Sequence, residues 1–226
     1  MQRISCDVEH RVFRSKTKSP KYILDGILTD SLIKSALFLA RLGINYRVGI
    51  IDQNLGNENE MNIKDIRQLM AVLKDEYFQV DNHCIINPTF GDGSQLVQGA
   101  DGDLIIDDTL IDIKVTKNLA VERIHLNQTI GYYIFSLIGG VNDDKDFKPI
   151  KNIGLYFARH GVLWKISLSV LADEKTILEF KDWFIDYADK KLWGGRLEEI
   201  KKRYNEKEVE GKTKKPEKKS KKIDKQ

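Results

Sequence analysis

Apolar positions along this chain change period twice, and the changes divide it into elements. Over residues 29–42 (TDSLIKSALFLARL), Leu32, Ile33, Ala36, Leu37, Leu39 and Ala40 recur at the spacing of one broad helical face. Thr29 or Asp30 stands where an N-cap belongs. After a polar stretch from Gly49 to Glu60, rich in Asn and Gly, Asn62 can cap a second helix bearing Ile66, Leu69, Met70, Leu73 and Tyr77. From His83 the pattern shortens to the apolar runs HCIIN, SQLVQ, DLIID and LIDIKV, which read as strands divided by Pro88, the FGDGS segment at 90–94 and Asp107-Asp108. FGDGS lacks the lysine of a phosphate-binding loop and reads as a strand-connecting turn. A helix over about Leu119 to Ile138 stops at Gly139-Gly140. Strands near 153–158 and 162–168 flank an Arg159-His160-Gly161 turn, and a last amphipathic helix runs from about Asp173 to Lys191. Consecutive strands with short links favour an antiparallel meander, so the fold class is α+β, a central sheet flanked by helices.

Composition narrows the class. The 226 residues suit one domain with flanking segments: an N-terminal segment 1–28, a domain over 29–200 and a tail over 201–226. That length excludes a motor or a polymerase. Hydrophobic residues make up 41% of the chain without a run long enough to span a bilayer, so no membrane partner is expected. Cys6 and Cys84 can build neither a disulfide framework nor a four-cysteine metal centre, and Met1 to Lys21 has no secretory pattern. A reducing cytoplasm is the expected location.

The net charge of +3 is unevenly spread. Residues 201–226 carry twelve Lys or Arg against five Asp or Glu, which leaves the first 200 residues at −4. The tail is too poor in apolar residues to fold alone and reads as a disordered arm or a solubilising end. Its only basic companion is the cluster Arg11, Arg14, Lys16, Lys18 and Lys21. Trp164, Trp183 and Trp193 read as core or edge packing rather than base-stacking groups.

Chemistry concentrates in GADGDLIIDDTLIDIKVTKN, residues 99–118. With Asp107-Asp108 as a two-residue hairpin loop, Ile106 opposes Thr109, and the same register sets Asp103 opposite Asp112. Directly opposed carboxylates, with Cβ atoms about 4.5–5.5 Å apart, repel unless a cation sits between them. Oxygen ligands select a hard ion such as Mg²⁺ or Mn²⁺. Lys114 lies two residues beyond Asp112 and so shares its face, bringing an ammonium to the pair. A metal-activated water beside a lysine is the equipment of phosphodiester hydrolysis. The competing reading of Asp-x-Lys is a plain salt-bridged strand. On the following helix Gln128 and Tyr132 stand four apart, on one face, with His125 nearby.

Asp103 at the head of a strand, Asp112-Ile113-Lys114 on the next and a helix with Gln128 and Tyr132 together resemble the PD-(D/E)XK nuclease superfamily, in its RecB-like branch. The resemblance covers about residues 83–167, and the wording of NPTF, GADGDLIIDDTLIDIK and QTIGYYIFSLIGG is similar to a prokaryotic group within it. It implies a restriction-endonuclease-like core with an antiparallel or mixed central sheet. It further implies Mg²⁺ or Mn²⁺ held by Asp103, Asp112 and the Ile113 carbonyl, Lys114 as the catalytic lysine, Gln128 and Tyr132 supporting the site or touching DNA, and DNA as the partner. Gly102 stands where the family pattern has proline. An upstream acid or histidine of that branch has four candidates here, Glu60, Asp65, Glu76 and His83. The alternative reading is a catalytically silent module of the same fold that binds nucleic acid or a protein partner; a metal-free structural domain is a third. Oligomeric state is not legible.

Overall fold

A computed structural model describes residues 26–48, 55–57, 59–142, 144 and 147–199. The basic cluster at 11–21 and the tail at 201–226 lie outside the described residues. The described chain forms two compact units.

The first takes the residues up to Asp75 with Val115–Lys117 and Phe157–Val162. Helix α1 (Asp30–Val48) opens with the Leu32 N–H donating to Thr29 Oγ1 at 3.2 Å, so Thr29 is the cap. Helix α2 (Glu60–Ala71) is capped by Asn59, whose Oδ1 accepts from Met61 N at 2.9 Å. The expected cap, Asn62, lies inside the first turn, because the extended backbone at Asn59 already begins the helix. Ile33, Phe38 and Ile63 are buried, and the Asp30–Arg67, Lys34–Glu60 and Asp65–Arg159 ion pairs decorate this unit.

The second unit, Glu76–Lys114, Asn118–Tyr156 and the chain from Leu163, holds most of a five-stranded sheet of order β1-β2-β3-β4-β5. The strands are β1 (Cys84–Ile86), β2 (Leu104–Ile106), β3 (Thr109–Lys114), β4 (Asn152–Phe157) and β5 (Val162–Ser167). β1 with β2 and β2 with β3 are antiparallel, and Ile106 pairs with Thr109 across the turn. Asp108 O accepts from Lys151 N and Asn152 N at 2.8 and 3.1 Å, so β3 and β4 start side by side and run parallel. Leu168 N donates to Lys151 O, which sets the end of β5 against the start of β4. The sheet is therefore mixed, with helix α4 (Arg123–Gly139) as the crossover that a parallel pair requires. The fold class is α+β.

The SQLVQ run is not a strand. Gly91–Leu96 form a short helix, α3, so FGDGS opens a helix rather than a turn. Ser94 Oγ accepts from Phe90 N at 3.0 Å and donates to Ala100 O at 2.6 Å, closing this small element on itself. Its glycines serve helix contact: a Cβ on Gly93 would strike the Phe135 backbone, and one on Gly139 would strike Phe90 O and Asp92 N. The two helices thus meet backbone to backbone. Phe90, Ile105, Leu110, Phe135, Val141, Ile150, Ile153 and Leu168 fill the core between α4 and the sheet face of residues 105 and 110. After a four-residue helix α5 (Leu168–Leu171), helix α6 (Glu174–Ala188) begins with Asp173 Oδ1 accepting from Thr176 N at 2.7 Å and ends in a π-helical turn, Asp189–Trp193. Trp193 donates from Nε1 to Leu96 O at 2.8 Å.

The hairpin turn is anchored from outside the hairpin. Asp107, at φ +52°, accepts from the backbone N–H groups of Asp81, Asn82 and His83 at 3.1, 2.7 and 3.1 Å. These three donors, led by Asp81, hold its carboxyl down at about 2.

Gly139→Ala should cost about 1–3 kcal/mol, because the added methyl must push α3 away from α4. Gly131, in the same helix, has only the Phe135 ring tip within 3.9 Å of a new Cβ, so Gly131→Ala should be neutral or stabilising. Thermal unfolding of the two variants checks the contrast; equal melting temperatures would contradict it.

Candidate active site

The register that pairs Leu104 with Ile111 runs on by one step to set Asp103 opposite Asp112, as the hairpin reading requires. Beyond the ladder, Asp103 holds the neighbouring strand by its side chain: Oδ2 accepts from Ile113 N at 2.7 Å. Its own carbonyl accepts from Asn87 N at 3.0 Å, which ties it to the end of β1. Asp103 is thereby fixed at both ends. Period two along β3 then sends Leu110 into the core and Asp112 and Lys114 to the same face, while Ile111 and Ile113 point to the other.

Asp112 is 2% exposed, a charged group within apolar strands. Burial pushes its carboxyl above the usual range, Lys114 opposes that rise, Asp103 adds to it and His125 offsets it slightly. Lys114 Nζ lies 2.5 Å from Asp112 Oδ2. Oδ2 has no other partner among the described residues. The ammonium is itself 14% exposed and donates at 2.7 Å to Gln128 Oε1, and Gln128 Nε2 donates at 2.7 Å to Tyr132 Oη. Burial raises the Tyr132 hydroxyl, which also feels Asp112, Asp103 and Asp101. Its ring stacks on Phe90 at 5.8 Å, so the core holds this end of the chain of contacts in place.

Asp112, Lys114, Gln128 and Tyr132 therefore form one connected polar row from β3 to α4, with Asp103 beside its buried end. The cation beside Asp112 is the ammonium, which realises the salt-bridged alternative at that oxygen. The donor set that suits a hard ion is the two carboxylates and the Ile113 carbonyl, with water completing the shell. Among the described residues no three or more His, Cys, Asp or Glu side chains gather closely enough to hold a metal.

The four upstream candidates have other engagements. Glu60 pairs with Lys34 at 3.1 Å and Asp65 with Arg159 at 2.7 Å. His83 lies edge-on to Phe147 at 5.0 Å, and Glu76 lines an open cavity of about 620 Å³ with Asp107, Asp108 and Lys165. His125, near Gln128 on the same helix, lies within electrostatic reach of Asp112. Its place one helical turn before Gln128 was the available signal. No family model, no curated protein and no solved structure matches this chain.

Breaking a buried ion pair from one side leaves the other charge stranded, so Lys114→Ala should lose about 3 kcal/mol or more at neutral pH. A carboxyl raised by burial costs the fold nothing below its unfolded-state pKa, progressively more as pH rises from there, and its full penalty above its folded-state pKa. The deficit should therefore shrink as pH falls toward the unfolded-state carboxyl range. Chemical denaturation across that span checks it, and a deficit independent of pH would contradict the assignment.

Proposed function

We propose that this chain is a metal-dependent nuclease of the RecB-like branch of the PD-(D/E)XK superfamily, with a restriction-endonuclease-like core, acting on DNA in the cytoplasm. The observation that carries this reading is the connected row Asp112–Lys114–Gln128–Tyr132 with Asp103 at its buried end. An Asp-x-Lys strand could meet any helix. Here it meets the one bearing Gln-x-x-x-Tyr, through a direct lysine–amide hydrogen bond.

Asp103, Asp112 and the Ile113 carbonyl would hold Mg²⁺ or Mn²⁺. When bound, such an ion supplies an activated water and withdraws charge from the phosphate oxygens. The protein's own groups divide the remaining work. Asp103, locked by the Ile113 N–H, keeps one carboxylate oxygen turned to the strand and leaves the other for a ligand. Lys114 would orient an attacking water or neutralise a developing oxyanion, with Gln128 accepting from its ammonium. Tyr132 steadies Gln128 from the apolar end. None of the described helices is long and apolar enough to cross a membrane.

A second reading, a catalytically silent module of this fold that binds nucleic acid or a protein partner, draws on two observations. No third acidic or histidine ligand joins the two carboxylates among the described residues, and the Lys114 ammonium already neutralises Asp112.

The two readings separate on DNA incubated with the purified chain. The nuclease reading predicts cleavage in Mg²⁺ or Mn²⁺ that falls at least about 100-fold in Asp103→Asn and in Lys114→Met, both checked for native melting. Intact single-stranded, duplex and branched DNA under both metals, or Lys114→Met as active as wild type, would refute it. Salt-sensitive DNA binding unaffected by metal or by Asp112→Asn would favour the silent module.

A further inference from the structure

We draw no further inference here: the strongest candidate, the open cavity of about 620 Å³ beside the Asp107-Asp108 turn, is rimmed by Glu76, Asp81, Asp107 and Asp108, an acidic cluster in which the backbone amides of Asp81, Asn82 and His83 already hold Asp107 and Lys151 pairs with Asp108, and nothing in the structure points to a ligand for it.

Discussion

A carboxyl group held inside apolar strands is the constraint on which the rest of the site depends. At 2% exposure water cannot solvate Asp112, so its charged form depends on a cation against it, and Lys114 is that cation. The ammonium in turn needs an acceptor for a second N–H, which fixes Gln128, and the amide of Gln128 needs Tyr132. Each partner in the row is demanded by the one before it. Burying a charged pair here gains little stability over a hydrophobic pair of similar volume.

The scaffold is arranged to make that row possible. The crossover through α4 sets β3 and β4 parallel, so a single helix lies over the strand that carries Asp112 and Lys114. Glycines at 93 and 139 let α3 and α4 touch by their backbones, and Phe135 follows α4 into the core above Ile105 and Leu110. Asp107, at the opposite end of the hairpin, clamps the turn to residues 81–83 and so holds the register that sets Asp103 against Asp112. A slip of one residue would send both carboxylates to the other face of the sheet.

Much of this was legible because it rests on short-range periodicity. The Asp-Asp turn, the alternation along Leu110–Lys114 and the four-residue spacing of Gln128 and Tyr132 each follow from local geometry. What escaped depends on distant contacts. Helix α3 has six residues, too few to display a period, and its glycines make sense only beside α4. The clamp on Asp107 has donors some 25 residues upstream, which no local pattern announces. Trp183, read as core or edge packing, is 53% exposed and stacks at the edge on Phe180 and Tyr187, since periodicity alone does not say which of two adjacent stripes faces inward. Nor could spacing say whether a cation beside Asp112 is a metal or an amine.

That last point is also where the account is most exposed. Calorimetric titration of the metal-free chain with Mn²⁺ at neutral pH addresses it without any substrate. The account predicts uptake of about one ion per chain, weakened at least about tenfold by Asp103→Asn and again by Asp112→Asn. No heat of binding, or binding that neither substitution alters, would mean that Lys114 alone balances the buried carboxylate and that the site holds no metal.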